Sequence, residues 1–158
     1  MSLSMIESGE RFLADADATA AFGRELAEAL RDQRGAVIHL LGTLGAGKTT
    51  LARELLRALG VRGTIRSPTY TLMEPYELPD RRVLHMDLYR LDAADLEQLG
   101  LDDYPPSETL WLVEWPEKGG AGLPKADLEL RLSPMGEGRK LQISVVRGTE
   151  SGNSPDFT

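Results

Sequence analysis

From Gly42 to Thr49 the chain reads Gly-Thr-Leu-Gly-Ala-Gly-Lys-Thr, which fits G-x-x-x-x-G-K-[ST] at every fixed position. Each fixed residue type serves the holding of phosphate. Glycines let the backbone curl until successive N–H groups converge, where a side chain would block phosphate oxygens. A helix opening near Lys48 adds the positive end of its dipole. Lys48 is placed to reach the β- and γ-phosphates of a nucleotide, and the Thr49 hydroxyl to ligate Mg²⁺. A Gly-rich turn that merely ends in Lys-Thr would look the same over these residues. Context separates the two readings. Ala36 to Leu41 is a short apolar run fit for a buried strand, and Leu51, Leu55 and Leu59 follow in helical register, with Gly60 as the stop.

A loop of this kind needs a carboxylate at the end of another strand, to hold Mg²⁺ through water or to orient an attacking water. Two apolar runs close on one: VLHMD at Asp87 and TLWLVE at Glu114. Singly, either could be a solvated strand-end acid; beside the loop, at least one is expected to function there. Between them and the loop lies RSPTYTL, Arg66 to Leu72. Pro68 biases Ser67 toward an extended backbone and leaves Ser67, Thr69 and Tyr70 as hydroxyls on a stiff segment. The segment reads either as a plain turn into a strand or as a loop that senses the γ-phosphate. His39 and His85 fall inside strand-like runs and read as packed or hydrogen-bonded rather than metal-ligating. Trp111 reads as core, and Trp115 as aromatic packing beside Glu114.

These groups must be positioned by a small set of elements. The periodicity predicts a short strand at Glu10–Ala14 and a helix from about Ala18 to Leu30, with Asp17 as its N-cap. Strand-like runs follow at Thr69–Met73, Arg82–Asp87 and Thr109–Glu114, with a short acidic helix around Ala93–Leu99. ADLELRL and RKLQISVV, flanking SPMGEG, predict a hairpin. Strands alternating with helices, then a hairpin, predict an α/β fold: a P-loop NTPase-like sheet flanked by helices, with a C-terminal antiparallel β-hairpin. A single domain is expected over residues 1–147, and a disordered tail, small and polar, over 148–158.

The 158 residues, 41% of them hydrophobic, suffice for one packed core. The absence of cysteine excludes disulfides and thiolate metal sites. No apolar run approaches the ~20 residues of a membrane span, and the polar start MSLSMIESGE has no signal-peptide pattern. A cytoplasmic protein is expected. The net charge of −7 argues against an independent grip on nucleic acid, which takes a basic face. Arg53, Arg57, Arg62 and Arg66 could form a basic patch within that total, or lie on a solvated helix face and loop.

Bound phosphate could be transferred, hydrolysed or only sensed. A small-molecule kinase clamps an anionic acceptor with basic residues under a lid. Between Leu88 and Glu108, where a lid would fit, there are six acids and one arginine. A guanine-reading N-K-x-D element does not occur. Hydrolysis coupled to another process is favoured; a kinase with an unrecognised acceptor and a nucleotide-gated binding module with little turnover are the alternatives.

In order and spacing, GTLGAGKTT, SPTYTLMEPY, HMDLYRL and LVEWPEK resemble the TsaE family, bacterial ATPases required for making threonylcarbamoyladenosine on tRNA. The resemblance runs from about Phe12 to Val146. It implies that ATP and Mg²⁺ are the cofactors, with Gly45, Ala46, Gly47, Lys48, Thr49 and Thr50 cradling the phosphates and Thr49 on the metal. Glu114 matches the family's acid near Mg²⁺ and the attacking water, Asp87 the acid of its HxDLYRL motif, and Trp115 an aromatic implicated in activity. Lys48, Asp87 and Glu114 are thus the expected catalytic set. Ser67, Pro68 and Thr69 match a switch-like loop. Adenine is implied to lie between the N-terminal segment near Asp15 and Ala16 and the hairpin, where Arg139 is the candidate. A TsaB–TsaD pair is the implied partner, with tRNA reached only through it. One position departs: Thr43 stands where the family commonly has Asp, which leaves phosphate binding electrostatically intact but could alter partner contacts or hydrolysis.

Overall fold

The apolar run Ala36–Leu41 forms a strand, β2, at the centre of a seven-stranded sheet. The computed structural model describes residues 6–92 and 95–146. In chain order the elements are β1 (Gly9–Leu13), α1 (Ala16–Ala29), β2, α2 (Lys48–Leu59), β3 (Met73–Glu77), β4 (Arg82–Asp87), β5 (Thr109–Glu114), β6 (Leu128–Met135) and β7 (Gly138–Val145). Across the sheet they run β1-β7-β6-β2-β5-β4-β3. The middle is parallel, β6 and β5 flanking β2 and β4 beyond β5, and both outer parts are antiparallel. The expected hairpin is β6–β7, tightened so that Ser133–Met135 belong to the strand rather than to the turn.

Period-2 alternation sorts the strand residues onto two faces. Ile38, Leu40, Leu110 and Leu112 face the side packed by Phe22 and Leu26 of α1 and Leu51, Leu55 and Leu56 of α2. Val37, Leu84, Met86, Trp111 and Val113 face the other side, covered by side chains such as Leu91, Leu96, Leu99, Leu101 and Tyr104. The α-helices therefore share one face, and short 3₁₀ turns cover the second. Each fully buried leucine on α2 contributes about 1.5–3 kcal/mol of hydrophobic stabilisation, which anchors the helix that begins at Lys48. No helix among the described residues is long and apolar enough to cross a membrane.

Several boundaries differ from the sequence expectation. Helix α1 begins two residues early because Asp15, not Asp17, is the N-cap: its Oδ1 accepts the Ala18 N–H at 2.9 Å. Residues 69–72 are a turn rather than a strand, closed by the Leu72 N–H donating to the Pro68 carbonyl at 2.8 Å. The strand comes after it, as β3, and carries Pro75, which a sheet tolerates because β3 is an edge. The acidic helix is reduced to a 3₁₀ turn at Leu96–Leu99; the beginning of that expected helix and the expected tail over 148–158 lie outside the described residues.

Candidate active site

Strand β2 delivers the chain to the Gly42–Thr49 loop, and α2 opens at Lys48 as expected. Gly47 caps α2 with φ 106°, a left-handed conformation that favours glycine. It is also close-packed: a Cβ there would lie 2.3 Å from Arg139 Nε. Arg139, early in β7, donates from that Nε to the Ala46 carbonyl at 2.6 Å, so the hairpin fastens the loop from outside. Gly45, with φ 77°, faces open space, leaving room for a ligand at the loop's crest.

Lys48 is 4% exposed. Its ammonium donates to the carbonyl of Gly42 and, at 3.4 Å, to that of Thr43, and it lies 3.7 Å from the centroid of the Trp115 ring. Burial pushes its pKa below the ordinary lysine value, opposed by the negative charges of Glu114, Glu117 and Asp87. Thr43 is exposed and takes part here through its backbone oxygen.

The two strand-end acids come together because β4 and β5 are parallel and in register: Asp87 pairs with Glu114. Both are buried. Glu114 accepts the Thr49 hydroxyl on Oε1 at 2.8 Å and the His85 Nε2–H on Oε2 at 2.7 Å. Asp87 accepts the Thr69 hydroxyl at 3.3 Å and the Tyr89 N–H at 3.0 Å. Ser67 bonds Thr69 at 2.8 Å, which ties the Ser67–Thr69 segment to the acid of β4. Directly after Glu114, Trp115 turns into the left-handed region, φ 58°, and its ring meets Tyr89 at 4.9 Å between centroids.

Lys48, Thr49, Thr69, Asp87, Glu114 and Trp115 line one cleft of about 390 Å³. Its oxygen donors, the hydroxyls of Thr49, Thr50, Thr69 and Tyr89 and the carboxylates of Asp87 and Glu114, suit a hard cation such as Mg²⁺. Among the described residues no cluster of three or more His, Asp or Glu could hold a metal by itself. Mg²⁺ is commonly held by protein through one or two carboxylates together with substrate phosphate. The residues present therefore fit a magnesium–nucleotide pair.

The family model described as "Threonylcarbamoyl adenosine biosynthesis protein TsaE" matches residues 13–141. The chain belongs to the TsaE family. It is 37% identical over 142 residues to the tRNA threonylcarbamoyladenosine biosynthesis protein TsaE of Haemophilus influenzae, covering 87% of this chain and 90% of that protein. With the protein of the same name from Synechocystis it shares 43% over 115 residues, 70% of this chain and 72% of the relative. The crystal structure of YdiB from Bacillus subtilis superposes with a TM-score of 0.73 at 26% identity, covering 92% of this chain and 90% of that one.

Of the residues expected at the site of this TsaE-family chain, Gly45, Gly47, Lys48, Thr49, Thr50, Thr69, Asp87, Glu114, Trp115 and Arg139 line the cleft. Ala46 is buried beneath it and contributes its carbonyl to Arg139. Ser67, which bonds Thr69, is not in the lining, nor are Pro68 and Ala16, the exposed first residue of α1. The sequence reading missed Tyr89, which lines the cleft, and the partner of His85. A signal for His85 exists: in a strand, residues two apart share a face, so His85 points to the side that Asp87 does.

Proposed function

We propose that this chain binds ATP with Mg²⁺ and hydrolyses it in support of a TsaB–TsaD-like complex that performs threonylcarbamoyl modification of tRNA adenosine. The observation that carries the reading is the convergence, in one cleft, of the Lys48–Thr49 helix start with the register-paired acids Asp87 and Glu114. The names of the family's relatives support the pathway.

Thr49 would hold the metal, with Glu114 or Asp87 completing its protein contacts. The chemistry that magnesium would supply there is neutralisation of phosphate charge. Lys48 would leave the loop carbonyls for the phosphates, exchanging neutral acceptors for charged ones. Glu114 would orient the attacking water and accept its proton. The cations lining the cleft are Lys48 and Arg139, and Arg139 is already bonded to Ala46, which favours hydrolysis over transfer to an anionic acceptor. An acidic chain need not hold tRNA if its partners do, and a cytoplasmic site of action belongs to the same reading.

The test is phosphate release from ATP with and without the same organism's TsaB–TsaD pair. Stimulation by the pair, abolished in Lys48→Ala, is expected. No stimulation of an ATP-bound protein by a competent pair would overturn the coupling, and a phosphorylated metabolite in its place would identify a kinase.

A further inference from the structure

His85 is fully buried on β4, one strand in from the β3 edge of the sheet, and the loop-and-acid chemistry described so far makes no use of it. Its Nε2–H donates to Glu114 Oε2 at 2.7 Å, while its Nδ1 has no hydrogen-bond partner. Such a residue is a poor choice for packing. A buried polar atom without a partner costs on the order of 1–3 kcal/mol, whereas an apolar side chain of similar size carries no such cost. On the same face Val83 of β4 and Leu110 and Leu112 of β5 are apolar, and the polar neighbours are the strand-end acids Asp87 and Glu114. The imidazole is therefore better explained by the one bond it makes than by the space it fills.

That bond has a definite geometric consequence. Glu114 uses its two oxygens for different partners, Oε1 for the Thr49 hydroxyl and Oε2 for His85. A carboxylate held at both oxygens can neither rotate about its last torsion nor exchange them. Thr49 is the hydroxyl this cleft would offer to magnesium, so its bond to Glu114 is the one that a ligand alters. The His85 bond lies within the sheet, between a residue 0% exposed and one 2% exposed, and does not depend on the ligand. The donor comes from β4 and the acceptor from β5, in the strand pair that also brings Asp87 beside Glu114.

We infer that His85 is a positioning residue for Glu114: it fixes the carboxylate plane so that Oε1 remains directed at Thr49 and the metal-and-water side of the cleft. The inference rests on the proposed ATP–Mg²⁺ site and specifies how that site is held. Partners of this kind behind a metal-facing side chain alter metal affinity or turnover by roughly 10–100-fold when removed.

The test compares His85→Leu, which fills the space without a donor, with His85→Gln, whose side-chain amide nitrogen is as many bonds from the backbone as Nε2. Three quantities are read: ATP affinity in chelator, the Mg²⁺ concentration that half-saturates the Mg²⁺-dependent change in nucleotide binding, and kcat and KM for phosphate release. In His85→Leu, metal-free affinity should stay within about twofold while the Mg²⁺ requirement rises or kcat falls by roughly tenfold or more. His85→Gln should recover most of either loss. Wild-type Mg²⁺ dependence and kcat in His85→Leu would overturn the inference, as would equal losses in both variants accompanied by lowered melting temperatures. If the wild type binds nucleotide but does not turn it over, the Mg²⁺ arm decides alone. A wild type that binds no nucleotide overturns the functional reading, and the inference with it.

Discussion

The Lys48 ammonium lies 3.7 Å from the centroid of the Trp115 ring, and Trp115 presents that ring from a left-handed backbone, φ 58°. A bulky residue held in that region costs on the order of 1–3 kcal/mol. A desolvated cation over indole returns about 2 kcal/mol, so the contact offsets much of the strain. Tyr89, two residues past Asp87, packs on the same ring. Lysine, tryptophan and tyrosine thus join the phosphate loop to the segments that follow both strand-end acids. Lys48 cannot move toward a phosphate without disturbing this contact.

Trp115 should therefore report ligand binding. The chain has two tryptophans, so Trp111→Phe leaves Trp115 as the single emitter. The substitution removes the Trp111 bond to the Tyr104 carbonyl and is expected to cost about 1–3 kcal/mol, which a melting curve will register. ATP titration of this variant should give a saturable change in emission, absent when Lys48→Ala is added. Unchanged emission under conditions where calorimetry detects binding would refute the coupling of lysine to ring.

The buried position of Lys48 predicts two pH trends of opposite sign. Its pKa in the free fold lies below 10.5 through desolvation, so the unfolded chain holds the proton more readily between the lowered pKa and 10.5. Stability should rise with pH across that window, relative to Lys48→Met, and level off above it. Nucleotide affinity should move the other way, because phosphate prefers the charged lysine. It should be full below the lowered pKa and decline before pH 10.5 is reached. Affinity that stays flat up to pH 10.5 would contradict the assignment, and Lys48→Arg, weaker but always charged, should show no such decline.

What the sequence made legible here follows from the range of each interaction. Strands β2, β4 and β5 and helix α2 were readable to the residue, since each is a local apolar run with its own stop, such as Gly60. The N-cap was not: Asp15 and Asp17 both precede the helical face, and only backbone geometry selects Asp15. Strand β3 was hidden because Pro75 argues against a strand until its edge position is known. The loop and both acids could be named from motifs. The bond between His85 and Glu114 could not, because it exists only once β4 and β5 pair in their particular register. Arg139 was found through family likeness, but its bond to Ala46 spans 93 residues and has no local signature.

Glu114 should divide binding from turnover. Glu114→Gln keeps the shape and an acceptor oxygen for Thr49, so ATP affinity should change by less than about fivefold. Loss of a positioned general base typically lowers kcat by 10²–10⁴-fold, and a fall in that range is expected in single-turnover phosphate release. Turnover within threefold of wild type would remove Glu114 from the chemistry and leave Asp87 as the remaining acid. Asp87→Asn measured in parallel tells which of the two carries the larger share.

Gly47 and Arg139 should prove energetically coupled. Arg139→Ala removes a charge-assisted bond to the Ala46 carbonyl, which is partly replaced by water, and is expected to cost about 1.5 kcal/mol of stability. Gly47→Ala meets two obstacles: the arginine side chain 2.3 Å from the new Cβ, and a φ of 106° that alanine disfavours. In an Arg139→Ala background the first obstacle is gone while the second persists. The double variant should then be more stable than the sum of the single losses predicts, by about 1 kcal/mol, within the range for contacting residues. Strict additivity in denaturant melts would mean that backbone strain alone reserves the position for glycine. Nucleotide affinity, measured beside it, should fall in Arg139→Ala, because Arg139 both lines the cleft and holds the Ala46 carbonyl of the loop.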